Sequence, residues 1–418
     1  MIETLCTRFG IEGRLRDAAL RASKRTETIA YEAQRDVAAN VLEAFAREGI
    51  VESDLHGSTG YGYDDPARAR YESLLARIFG AERALARLSI VSGTHAIVTA
   101  LAACAAPGST LLSITGRPYD TLRNAICDAP HALVTHGVGY REIALLPDGR
   151  IDLPTVLHTL ETENVPVIFV QRSRGYAPRK SLNVDECALV FGAVKARAPG
   201  APILVDNCYG ELVESREPTH VGADLAMGSL IKNLGGSVAP AGGYVAGRGD
   251  LVERVAARLY APGLGGALGP TLGFGRALVQ GLFLAPSIVE HCLRGLDFAA
   301  ALFDELGYPV DPAPGAARAD IVQAISLGSP ERLMRFASGL QESLPVNARF
   351  RPEPGAVPGY AEPVVMSSGA FVAGATIELS CDAPMRPPYE VYLQGGVTYA
   401  HACLGALFAA RAAGFASP

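Results

Sequence analysis

From Ala86 to Asn207 the chain alternates short apolar runs with helical stretches. The runs are ARLSIVS, TLLSITG, REIALLP, VPVIFVQ and APILVDN. The helices predicted between them span Thr94–Ala106, Tyr119–Asp128, Leu153–Leu160 and Val184–Arg197. Apolar runs this short fit strands buried on both faces, and parallel strands need a crossover helix to join them. The alternation therefore predicts an α/β fold with a large, mostly parallel sheet covered by helices. Ligands of such sheets gather outside the carboxyl ends of the strands. Those ends carry Ser92-Gly93-Thr94, Thr115-Gly116, Gln171-Arg172-Ser173-Arg174 and Asp206-Asn207.

Around this centre the pattern predicts three parts. Residues 1–65 form an N-terminal arm, helical over residues 16–49 and stopped by Gly49, followed by the loop ESDLHGSTGYGYDDP. Residues 66–289 form the large domain, which opens with a helix over Pro66–Phe79 and later holds another over Asp250–Tyr260. Residues 290–418 form a smaller α/β domain. Its predicted elements are a helix near Val289–Leu306, a strand near Asp320–Ile325, a helix near Pro330–Glu342, strands near Ala370–Leu379 and a last helix over Tyr399–Ala413. The proline-rich stretch Arg349–Gly369 reads as an exposed connection.

Composition narrows the function classes. The 418 residues are 49% hydrophobic and 19% charged, which excludes a disordered chain. A formal net charge of -6 argues against a nucleic-acid partner. No apolar stretch reaches the roughly 18 residues of a membrane span, and the N-terminal segment lacks an apolar signal core, so a cytoplasmic protein without membrane partners is expected. The eight cysteines form no CxxC pair, so buried free thiols are expected, with no zinc site and no other metal. Neither GxGxxG, GxxxxGK[ST], HExxH nor GxSxG occurs.

Of 37 lysines and arginines only Lys24, Lys180, Lys195 and Lys232 are lysine. The first three lie in polar contexts that read as solvated. Lys232, in MGSLIKNLGGSV, has apolar neighbours before it and small ones after it. Desolvation there would lower its pKa, as a Schiff-base lysine needs, although a lysine snorkelling from a strand end would look the same. Asp206 closes the apolar strand PILVD and suits a buried cation such as a pyridinium, or an ordinary cap or salt bridge. Ser92-Gly93-Thr94 opens a helix and suits a phosphate, or a routine helix cap. Ser229 lies three residues before Lys232. The order of phosphate turn, strand-end Asp and Ser-x-x-Lys is more specific than any one member.

The segments SDLHGSTGYGYDD, IVSGTHAI, SITGRPYDT, QRSRGY, VDNCYGE, GSLIKN, GGYVAGR and RPPYEVYLQGGVTY, spread over residues 53–399, carry a family resemblance. The chain resembles fold-type I pyridoxal-phosphate enzymes of the cystathionine/methionine γ-lyase class. It is most similar to the branch called the methionine γ-lyase family or aluminium-resistance proteins.

The resemblance implies pyridoxal 5'-phosphate as cofactor and a small amino acid as substrate. It implies that Lys232 holds the cofactor and moves protons, and that Asp206 pairs with the pyridinium. Tyr209 would hydrogen-bond the phenolic oxygen. Ser92, Gly93, Thr94 and Ser229 would cradle the phosphate. Tyr119 would stack on the ring and assist the leaving group. Tyr61 and Tyr63 would reach the phosphate of a second subunit, which implies a homo-oligomer, a dimer of dimers, with shared sites. Arg386 is the candidate for the substrate α-carboxylate, with Arg172 and Arg174 competing.

Two departures from the family pattern bear on the substrate rather than the cofactor. Leu234 stands where a proline is expected, and Ser380-Cys381-Asp382-Ala383-Pro384 stands where SADGP is expected. The expected activity is elimination from a γ- or β-substituted L-amino acid such as methionine or cystathionine. Loss of a halogen or oxygen leaving group, transamination and a non-enzymatic stress-resistance role are the alternatives.

Overall fold

The computed structural model describes residues 1–415. Its centre is a seven-stranded sheet made of β1 (Arg83–Arg87), β2 (Thr110–Ser113), β3 (Gly139–Glu142), β4 (Val167–Gln171), β5 (Ile203–Asp206), β6 (Leu225–Ser229) and β7 (Gly243–Gly247). The strand order is β1-β7-β6-β5-β4-β2-β3. The pairs β2–β3, β2–β4, β4–β5 and β5–β6 are parallel, and β7 runs antiparallel to both of its neighbours. Every residue of β4, β5 and β6 is buried, as a sheet covered on both faces requires. Helices Gly93–Cys104 and Gly249–Leu259 pack on one face around Leu111, Phe169 and Met227. Helices Leu153–Thr162 and Val184–Arg197 pack on the other around Ile168, Val170 and Val205. Each such buried side chain stabilises the fold by roughly 1.5–3 kcal/mol.

The second sheet is antiparallel throughout. It holds β8 (Val310–Asp311), β9 (Val322–Ser326), β10 (Val364–Ser368), β11 (Ser380–Pro384) and β12 (Glu390–Gln394) in the order β10-β11-β12-β9-β8. Helices Pro330–Glu342 and Tyr399–Ala413 lie in this part of the chain and match their predicted limits.

Several expectations are corrected. The helix predicted over residues 16–49 is two, Gly13–Thr26 and Glu32–Glu48. Thr26 turns its hydroxyl back onto the carbonyls of Ala22 and Ser23 at 3.2 Å, and the β-branched Thr28 and Ile29 follow in the break. The helix predicted from Val289 is the second half of a 31-residue helix, Gly275–Glu305, whose interior Pro286 disguised its length. The stretch Tyr119–Asp128 is α-helical only over Asp120–Arg123 and then widens into a π turn over Asn124–Asp128.

No strand forms over Ala370–Leu379. The backbone N–H groups of Phe371 and Val372 donate instead to the Glu378 carboxylate at 2.7 and 3.2 Å. The strand β10 lies inside the supposed connection Arg349–Gly369, with Val364 opposite Pro384. Lys195 is not solvated either: it pairs with Asp224 and donates to Ala201 O at 3.1 Å.

Among the described residues the eight cysteines are unpaired, no helix is long and apolar enough to cross a membrane, and no group of His, Cys, Asp and Glu could hold a metal ion.

Candidate active site

The carboxyl ends of β4, β5 and β6 open into a cavity of about 430 Å³. The parallel register sets Gln171 beside Asp206, and Asp206 beside Met227. Val322 and Gln394 of the second sheet, with Val357, Tyr360, Ala373 and Gly374, line the same cavity.

Lys232 leaves the sheet in the turn after β6. Its Nζ lies over the face of Tyr209, 3.6 Å from the ring centroid. Burial alone would favour its neutral amine, but Cys208, Tyr209 and Asp206 together outweigh burial and raise its pKa. Desolvation therefore does not lower this lysine's pKa in the way its sequence context suggested. Burial pushes the Cys208 thiol and the Tyr209 phenol upward, so both are neutral near pH 7. Asp206 is 4% exposed and accepts from Cys208 N at 3.1 Å. Burial raises its pKa against the lowering effect of that hydrogen bond and of Lys232.

Opposite the lysine, Ser92 caps helix Gly93–Cys104 by accepting from His95 N at 3.1 Å. The backbone comes so close to its neighbours here that a Cβ on Gly93 would sit 2.9 Å from Cys208 Sγ and 3.5 Å from Ser229 Cβ. Thr94 Oγ1 and Tyr119 OH lie 2.7 Å apart, and Tyr119 N donates to Gln171 Oε1 at 2.9 Å. Burial, and next the charge of Asp206, raise the Tyr119 pKa well above its usual range.

The structure thus brings Ser92, Gly93, Thr94, Tyr119, Asp206, Tyr209, Ser229 and Lys232 to one cavity. It does not bring Arg172 or Arg174 there. Arg172 is buried elsewhere, donating to Leu182 O, Asn207 Oδ1 and Gly210 O and pairing with Glu214. Arg174 is spent on Arg179 O, Asp311 O and the Asp311 carboxylate. Arg386 donates to Tyr176 O at 2.8 Å and faces Asp120 and Glu362 at 3.7 and 3.6 Å, outside the cavity lining. Tyr61 and Tyr63 are 77% and 54% exposed on the surface of this chain, away from its own cavity.

Sequence reasoning named no role for Gln171, Tyr176, Cys208, Tyr360 or Gln394, all of which line the cavity. Position at a strand end was the available signal for Gln171. Tyr360 and Gln394 lie more than 120 residues beyond Lys232, and no local pattern marks them.

The chemistry of these groups fits pyridoxal 5'-phosphate. A helix N-terminus with a side-chain-free approach at Gly93 and flanking hydroxyls suits a phosphate. A buried strand-end carboxylate suits a pyridinium, and a lysine beside it suits the aldehyde.

The comparisons with known proteins agree. The sequence matches the methionine gamma-lyase family over residues 14–413. The uncharacterized protein YnbB of Bacillus subtilis is 41% identical over 365 residues, 86% of each chain. A solved structure of a carbon-sulfur lyase involved in aluminum resistance, from Clostridium novyi, superposes with a TM-score of 0.92 at 37% identity and covers 97% of both chains. The pyridoxal-5'-phosphate-dependent protein YhfS of Escherichia coli shares the fold, with a TM-score of 0.61 at 21% identity over 90% of this chain and 95% of its own. With this cavity in that fold, the chain belongs to the methionine gamma-lyase family of pyridoxal-phosphate-dependent enzymes.

Proposed function

We propose that the protein is a carbon–heteroatom lyase that eliminates the side-chain substituent of a small γ- or β-substituted L-amino acid. The observation that carries this reading is that Lys232, Asp206 and the helix start at Gly93 line one cavity. The cofactor supplies an electron sink for the α-carbon when bound.

The chain's own groups do the rest. Asp206 would hold the cofactor's ring cation, and Lys232 Nζ would take the α-proton. Ser92, Thr94, Ser229 and the N–H groups at Gly93 hold the phosphate. Tyr209 orients the ring oxygen. Tyr119 keeps its proton at neutral pH and donates it to the departing atom. For a β-substituent the electrons of the broken α-C–H bond would expel that atom; for a γ-substituent a β-proton is removed as well and the β-C–H electrons would expel it. Hydrolysis of the resulting enamine gives a keto acid and ammonium.

Tyr61 and Tyr63, exposed on a loop clamped by Asp65, are read as the contribution of one copy to the site of another, in a cytoplasmic dimer of dimers. Arg386 is read as the cation nearest the mouth for the substrate carboxylate.

Purified holoenzyme should be yellow, and borohydride should fix a pyridoxyl group on Lys232. Incubation with methionine, cystathionine and halogenated or oxygenated analogues should release keto acid and ammonium with no acceptor present. A strict need for a keto-acid acceptor would replace this reading with transamination.

A further inference from the structure

Gln394, the last residue of β12, lines the cavity and is buried. Its Nε2 donates to Asp382 Oδ2 at 2.8 Å and lies 3.4 Å from Tyr392 O. Tyr176 OH donates to the same Asp382 oxygen at 2.5 Å. Turning the amide over would press its oxygen against the carboxylate, so the network itself fixes which end is nitrogen. The other end, Oε1, is buried with no hydrogen-bond partner.

A buried acceptor left unpaired is costly, and because the residue that carries this one lines the binding cavity, the ligand is its simplest partner. Its surroundings point to the ligand's chemistry. The rings of Tyr176 and Tyr360 lie 5.4 Å apart, and Tyr176 stacks on Tyr392 at 5.5 Å. Ring faces and an amide oxygen favour an N–H donor or a cation over a bare methyl group.

We infer that Gln394 is a specificity-determining residue whose Oε1 accepts a hydrogen bond from an ammonium or amide N–H on the departing side-chain group of the substrate. Asp382 and Tyr176 are positioning residues that hold the amide in that sense. The inference rests on the lyase reading, which it narrows to substrates that carry a nitrogen donor beyond the leaving atom.

The test uses holoenzyme and matched pairs of equal heavy-atom count. One pair is S-(2-aminoethyl)-L-cysteine and S-propyl-L-cysteine, and the other is their homocysteine counterparts. Titration of the bound cofactor's absorbance gives Kd whether or not turnover follows, and keto-acid release gives kcat/KM. The expected result is a preference of roughly tenfold or more for the amine-ended member of at least one pair. Gln394→Met should reduce that preference to about twofold or less, and Asp382→Asn should reduce it in part, because its amide no longer dictates how Gln394 turns.

Equal affinities in the unmodified enzyme, or a preference that survives both substitutions, overturn the inference. If Gln394→Met takes up no cofactor, Asp382→Asn decides by the same titration. Selective binding without keto-acid release would sink the lyase reading and leave the selectivity standing. Equal release from both members of a pair would do the reverse.

Discussion

The side-chain amide of Asn233 donates to the carbonyl oxygen of Tyr209 at 3.0 Å and so ties the Lys232 turn to the loop that follows Asp206. The same amide donates to Glu211 O at 2.8 Å. Tyr209 adopts a left-handed backbone, with φ at 72°, and a non-glycine residue stays there only when its surroundings hold it. Asn233→Ala removes both donors and leaves the Glu211 carbonyl unpaired, while Tyr209 O keeps the Ile321 N–H at 3.2 Å. It should cost about 1–3 kcal/mol in denaturant unfolding, and cofactor affinity should fall with it. A variant that unfolds like the parent and binds the cofactor equally well would show that the turn is held by packing alone.

The approach of Gly93 to Cys208 makes a two-step test. Gly93→Ala places a methyl 2.9 Å from Cys208 Sγ, so the helix start must shift and cofactor affinity should drop by roughly tenfold or more. Adding Cys208→Ala empties that space and should restore much of the loss. Additive effects in the double variant would place the damage elsewhere, since residues in contact are expected to couple.

Glu211 gives a pH signature. Burial pushes its carboxyl up to about 8 from a usual 4.5, with Glu217 adding to the rise and Lys232 and Tyr244 opposing it. The native state therefore keeps a proton that the unfolded chain has lost. The stability linked to this proton is complete below pH 4.5 and is lost as pH rises through about 8. Glu211→Gln removes that slope, so its thermal midpoint should gain on the parent between pH 5 and pH 9. Parallel pH curves for the two proteins would mean that the carboxyl titrates normally.

Arg386 stands between Asp120 and Glu362 rather than inside the cavity. If the substrate carboxylate docks at this mouth, Arg386→Ala raises KM by roughly tenfold or more while cofactor affinity holds. An unchanged KM would confine Arg386 to steadying Tyr176 through its carbonyl.

The sequence made the large sheet legible because its central strands β4, β5 and β6 are short and wholly buried, and helices with side-chain caps alternate with its strands. Helix Val184–Arg197 begins where Asn183 and Glu186 form a capping box, and its predicted limits match. The cofactor end of the site was legible for the same reason, since it hangs on strand ends. The second sheet was not. Its strands are antiparallel and bounded by prolines, and the N–H groups of Phe371 and Val372 are captured by a side chain, which no periodicity reveals. Arg172 and Arg174 misled because a buried arginine occupied by carbonyls reads in sequence like one awaiting a ligand. Gln394 stayed hidden because its meaning depends on Asp382 and Tyr176, which only tertiary structure sets beside it.

The long helix Gly275–Glu305 touches the lysine turn where no side chain intervenes. A Cβ on Gly281 would meet Gly235 O at 2.3 Å, and one on Gly236 would meet Gly281 O at 2.2 Å. Further along, the same helix packs against β8, β9 and helix Tyr399–Ala413 of the antiparallel half. The two walls of the cavity thus bear on a single rigid beam. If Gln394 grips the ligand as inferred, a tilt of this helix would act on that grip and on the backbone beside Lys232 together.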